Sequence, residues 1–147
     1  MAATEDFLAA TMPRLIDAEI ALHNGDAQPR SAMWSRNEPL TLFGAAQFAS
    51  RGWSEVSPVF EQLAEAFSDC TAYENEIIAA EASGDLAYTV ALEHTTVSVE
   101  GRQPRQVLLR VTTIFRREDG EWKVVHRHGD SLAPDVDIEG WLKDAPA

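Results

Sequence analysis

The stretch from Arg110 to Asp130, RVTTIFRREDGEWKVVHRHGD, constrains the fold more than any other part of this chain. Val111, Thr113 and Phe115 alternate with other residues up to Glu118, and Trp122, Val124, His126 and His128 alternate after Glu121. Asp119-Gly120 stands between the two runs. Both residues tolerate the positive φ of a tight turn, so the pattern predicts a β-hairpin. Strict alternation would place both histidines on the face that carries Trp122 and Val124. This predicts two imidazoles at the end of a buried sheet face, at the mouth of a pocket.

The 147 residues suit one domain, 1–147, and a chain of this size buries about two thirds of its unfolded surface without disulfide or metal. Acidic residues outnumber basic ones, 24 to 12, for a net charge of −12. Phosphate backbones and anionic membrane surfaces both select clustered Lys and Arg, so neither a nucleic acid nor a membrane is an expected partner. An anionic ligand would need a local basic spot. The lone Cys70 allows no internal disulfide, and no basic-then-apolar leader opens the chain. The expectation is a soluble, cytoplasmic protein. No phosphate loop or Ser/His/Asp set is present, and no cofactor is expected.

Along the chain, residues 4–23 predict a helix with Leu8, Met12, Leu15, Ile16 and Ile20 on one face, kinked or starting late because of Pro13. A short helix or irregular segment follows over 26–37, then a strand, Leu40-Thr41-Leu42-Phe43, stopped by Gly44. Trp53, Val56, Phe60, Leu63 and Phe67 form the apolar stripe of a second helix over 53–67, with Ser54 as its cap. From Thr71 the period changes to two, predicting strands near 70–82, 85–99, 106–117 and 122–128. Residues 131–147 read as an acidic tail, loosely packed or disordered, with Trp141 and Leu142 as docking points.

Helices followed by a long meander mean an α+β domain whose N-terminal helices cover the concave face of a curved antiparallel sheet. On the strand 85–99, Tyr88, Val90, Leu92 and His94 are the bulkier set and are assigned to the concave side. Ala87, Thr89, Ala91 and Glu93 are assigned to the convex side, where a second subunit would pair in a homodimer.

The leading helix, Leu40–Gly44, Ser50-Arg51-Gly52, Gly84-Asp85-Leu86-Ala87-Tyr88 and the closing hairpin together resemble the nuclear transport factor 2-like fold, with its SnoaL-like and ketosteroid isomerase-like domains. The hairpin is also similar to that of the calcium/calmodulin-dependent protein kinase II association domain. The resemblance implies a cone-shaped sheet around a pocket, usually dimerised through its convex face. It leaves activity open, because one fold hosts isomerases, dehydratases and non-enzymatic modules. The base, tyrosine and protonated acid of ketosteroid isomerases have no evident counterparts here, and where the kinase hub carries pocket arginines this chain has Val90, Thr113 and Gly129.

Two functional readings remain. In one, a small, mostly apolar organic ligand undergoes proton transfer, with His126 or His128 as base and Tyr88 as hydrogen-bond donor. Trp34, Trp53, Val90, His94, Thr113, Trp122 and Asp130 would then line the pocket. In the other, the domain is a non-catalytic binding or assembly module and the histidines are hydrogen-bonded strand-end residues. His126 and His128 have metal-ligand spacing, with His94 and Glu93 or Glu76 as further donors, but two histidines leave a site under-coordinated and no metal is expected.

Overall fold

A computed structural model describes residues 2–144. Helices α1 (Ala2–Leu22) and α2 (Gln28–Met33) precede two short strands, β1 (Thr41–Gly44) and β2 (Gln47–Arg51). Helix α3 (Trp53–Ala66) leads into four long strands, β3 (Phe67–Ser83), β4 (Leu86–Val99), β5 (Arg105–Glu118) and β6 (Glu121–Asp130), and α4 (Ile138–Asp144) comes last. The six strands form one curved, unclosed sheet in the order β2-β1-β6-β5-β4-β3. All neighbours are antiparallel except β1 and β6, which run parallel. The α+β architecture, with the N-terminal helices against the concave face, is the one the sequence predicts. No helix is long and apolar enough to cross a membrane.

The β5–β6 turn follows from its two residues. Asp119 and Gly120 take φ of 51° and 82°, and the loop between Glu118 and Glu121 is only these two long. Positive φ at both positions matches the turn to the twist of the flanking strands. Strand β2 was not predicted. Its five residues lack alternation, and only Ser50 among them is buried.

Beyond the turn, β6 departs from strict alternation. Phe115 pairs with Val124 and Ile114 with His126, which leaves Val125 unpaired. An extra residue opposite a single partner is a β-bulge, and it resets which side chains face inward. Trp122 and Val124 face the core, and after the bulge so do Val125, Arg127 and Gly129. His126 and His128 are therefore turned to the convex face, against the sequence expectation.

The faces of β4 are also the reverse of the expectation. Ala87, Thr89, Ala91 and Glu93 are buried under the helices, while Tyr88, Val90, Leu92 and His94 lie on the outer face. The physical reason is space. Phe7 of α1 packs edge-on against Phe115 at 5.0 Å and Trp122 at 5.1 Å, and these rings fill the volume that bulky β4 side chains would need.

Helix α1 runs unbroken from Ala2. Ala9 and Pro13 are both exposed, so the Ala9 carbonyl that loses its donor to Pro13 is left to water. The buried stripe is Phe7, Thr11, Leu15, Ala18, Glu19 and Leu22, rotated from the predicted one. Helix α3 is preceded by Gly52 at φ 78°, with no side-chain cap from Ser54. Instead, Glu55 Oε1 accepts the Arg51 N–H at 2.9 Å. The tail to Asp144 is exposed and carries the short α4, whose Trp141 and Leu142 are not buried against the domain; 145–147 lie outside the described residues.

Candidate functional site

The inner sheet face and the ends of the helices enclose a cavity of about 410 Å³. Its wall is mostly apolar, from Leu42, Val59, Leu63, Val97, Val107 and Leu109 among others. Exposed Ala45, Ala46 and Arg105 mark its rim. The polar groups are few: His23 at the end of α1, Arg30 of α2, Gln47, Thr95, Arg127 and Ser131. A largely apolar concavity of this size with a few convergent polar groups is the usual form of a small-molecule site.

A buried ionic network stands beneath the cavity. Arg30 grips Glu19 through Nε to Oε2 at 2.7 Å and Nη2 to Oε1 at 2.5 Å. Arg127 grips Glu93 through Nη1 to Oε2 at 3.1 Å and Nη2 to Oε1 at 2.7 Å, and its Nη1 is also 3.3 Å from Glu19 Oε1. The Tyr73 hydroxyl donates to Glu93 Oε2 at 2.8 Å, and Asn75 Nδ2 donates to that hydroxyl at 3.3 Å. The two guanidiniums and two carboxylates balance in charge, which makes their burial tolerable. Burial alone would raise the Glu19 pKa, but the Arg30 and Arg127 guanidiniums overcome it and hold the carboxyl at about 2. Burial opposes the Arg127 charge, yet Glu93 and Glu19 outweigh it and push the guanidinium pKa up. The Tyr73 phenol is pushed up by burial and by Glu93, so it stays a donor.

His23 is the titratable group best placed for chemistry. Its ring stacks on Phe67, with centroids 4.7 Å apart and planes within 16°. Nδ1 lies 2.6 Å from the Glu19 carbonyl oxygen, which can only accept, so Nδ1 carries the proton. Burial pushes the His23 pKa down, against the pull of Glu19, and keeps the ring neutral. Nε2 is then a bare lone pair, and no hydrogen bond among the described residues occupies it. His23 is one of the residues that line the cavity.

None of the residues predicted for the site lines this cavity. His126 and His128 lie on the convex face, where both rings meet Phe43 edge-on at 5.4 and 5.5 Å. Thr41 Oγ1 and His126 Nδ1 are 2.7 Å apart, and burial followed by the nearby His128 lowers the His126 pKa. Tyr88 and Val90 face outward, and His94 Nε2 meets Glu76 at 2.9 Å, while Glu93 faces the interior. Asp130 accepts from Arg110 Nε at 2.9 Å on the outer side. Val90, His128 and Asp130 border a separate shallow depression of about 310 Å³ on that face. Trp34, Thr113 and Trp122 are buried in the interior away from the cavity wall, and Trp53 is covered by the Arg36 guanidinium 3.5 Å above its ring. Among the described residues no group of three His, Cys, Asp or Glu is placed to hold a metal.

Sequence reasoning missed His23, Arg30 and Arg127. A signal existed for the first: Glu19 and His23 are four apart and so share a helix face, and Glu19 falls within the apolar stripe through Leu15 and Leu22.

A curved sheet with helices over its concave side and a cavity between them defines the nuclear transport factor 2-like class. Solved structures agree. One provisionally named a dehydratase of that family, from Streptomyces avermitilis, superposes with a TM-score of 0.70 at 15% identity, over 88% of this chain and 98% of that one. A ketosteroid isomerase-like protein from Erwinia carotovora atroseptica gives 0.68 at 20% identity, over 86% and 97%. A provisionally named calcium/calmodulin-dependent protein kinase II association domain from Xanthomonas campestris gives 0.65 at 16%, over 85% and 87%. Within this class the chain belongs to the SnoaL-like domain family, whose pattern matches residues 10–134. No curated protein matches its sequence.

Proposed function

We propose that the cavity binds a small, mostly apolar organic molecule and that His23 exchanges a proton with it, as in a cofactor-independent isomerase or dehydratase. The observation that carries this reading is the His23 geometry: a ring on the cavity wall with Nδ1–H fixed on the Glu19 carbonyl and Nε2 without a hydrogen-bond partner among the described residues. A neutral imidazole held this way is ready to take a proton from carbon next to a carbonyl. Returning that proton to another carbon is an isomerisation, and losing hydroxide from the neighbouring carbon, protonated to water, is a dehydration. Fold relatives named as a dehydratase and a ketosteroid isomerase-like protein support the reading at the level of chemistry class. In this reading His23 takes the role expected from alternation for His126 or His128.

The test is deuterium incorporation, by NMR in D₂O, into a panel of enolisable ketones and β-hydroxy acyl compounds. The wild type exchanges at least one of them, and His23→Gln lowers that rate by about a hundredfold or more. Exchange that survives His23→Gln unchanged would sink the assignment. The second reading is a non-catalytic binding module. It is favoured by the cavity wall carrying one imidazole and no carboxylate, hence a base without an acid beside it. Ligand binding with no exchange on any compound would select it.

We also propose that the domain is a homodimer closed across the convex face. Ile78, Tyr88 and Ile114 are exposed there, beside the half-buried Val90 and Leu92, and large apolar side chains exposed together on a sheet face mark a surface that a second subunit would cover.

A further inference from the structure

The Arg127 guanidinium is only partly used by the buried network. Glu93 takes the end of the guanidinium, Nη1 and Nη2, and Glu19 lies against Nη1. The side of the same plane, carrying Nε–H and the second Nη2–H, has no acceptor among the described residues. Arg127 is itself one of the residues that line the cavity. Arg30 is similar: Nε and Nη2 are used on Glu19, and Nη1 has no acceptor among the described residues.

Gly129 explains why the space is open. It lines the cavity, and a Cβ built on it would stand 3.5 Å from Arg127 Nη2 and 3.7 Å from Nε, directly before the unused edge. Its φ is not in the left-handed region, so the backbone does not require glycine there. What the missing side chain provides is room in front of two parallel N–H donors.

The charge distribution agrees. The chain carries 24 acidic and 12 basic residues, yet the described cavity wall includes Arg30, Arg105 and Arg127 and no Asp or Glu. The carboxylates that neutralise the guanidiniums stand behind them, so an occupant meets donors and no competing acceptor charge. A planar group with two acceptor oxygens is what a guanidinium side edge binds in bidentate fashion.

We propose that the cavity takes a small organic monocarboxylate, its carboxylate seated on Nε–H and Nη2–H of Arg127 in the space left by Gly129 and its apolar body along the Val97, Val107 and Leu109 wall. This deepens the proton-transfer reading by naming the substrate class, and it is tested separately from it.

Binding of phenylacetate and hexanoate is compared with that of phenylacetamide and hexanamide, by NMR titration of the full chain. The acids bind about tenfold or more tighter than their amides, because the amide replaces one acceptor by a donor. Gly129→Ala makes only ordinary contacts, so it folds as the wild type does, and it removes the preference for the acid. His23→Gln keeps the preference even if all proton exchange is lost, which separates this proposal from the catalytic one. Equal affinity for acid and amide, failure of both acids to bind at millimolar concentration, or an acid preference that persists in a folded Gly129→Ala protein would each overturn it.

Discussion

His23 links the site to the pH dependence of folding. Burial lowers its pKa from the ordinary 6.5, so over the range below 6.5 the unfolded chain holds a proton that the folded chain does not. Its contribution to stability is therefore complete above that value and declines as pH falls. The urea midpoint of the wild type should fall more steeply than that of His23→Gln between about pH 7 and about pH 5. Parallel slopes would show that the ring is not held neutral by the fold. Arg127 carries a larger energetic consequence. Arg127→Met leaves Glu93, only 2% exposed, without its partner, and should cost about 3–5 kcal/mol by urea unfolding. The double change Arg127→Met with Glu93→Leu should recover part of that loss, since it removes the orphaned charge as well. A double variant no more stable than the single one would mean that packing, not charge, sets the cost.

Among the elements, β6 decides which chemistry faces inward, and it does so through Val125. Deleting Val125 restores strict alternation and keeps Arg127 inside, because His126 would then follow Val124 directly on the opposite face, with the pairs Phe115–Val124 and Ile114–His126 unchanged. The expected outcome is that cooperative unfolding is retained, read by near-UV circular dichroism against urea, because Glu19 and Glu93 keep their shared guanidinium; its loss would refute this account of the register. The hairpin itself was legible in the sequence because Asp119-Gly120 and the flanking alternation are local. The strands β3 to β5 were legible for the same reason. Their inner and outer faces were not. Val124-Val125-His126 carries no local mark of a bulge, and both sets on β4 include apolar residues, so the choice depends on Phe7 and Trp122 arriving from distant parts of the chain. The site shared this difficulty. His23 and Arg30 come from the helical end of the chain and meet Arg127 only through tertiary packing.

At the scale of the whole molecule, the interior is settled within one chain, while the convex face leaves Ile78 57% exposed and Tyr88 38%. Light scattering at micromolar concentration should give about twice the 16.2 kDa of one chain. Ile78→Glu with Tyr88→Asp should return it to a monomer with its circular dichroism unchanged. A wild type at one chain mass would remove the dimer and leave the cavity proposals standing.

The unpaired Val125 also bears on how such proteins diverge. Beyond Val124, inner and outer surfaces of β6 trade places when a strand of the same length pairs without the extra residue, whereas point substitutions alter residues without changing which side they occupy. A relative of equal length that paired regularly here would present histidines where this chain presents an arginine, and would need new residues at 19 and 93 to accommodate them. Transferring a site between relatives by aligned letters through this hairpin can therefore slip by one place. The frame of the strand is inherited alongside its side chains, and superposed backbones are needed to read it.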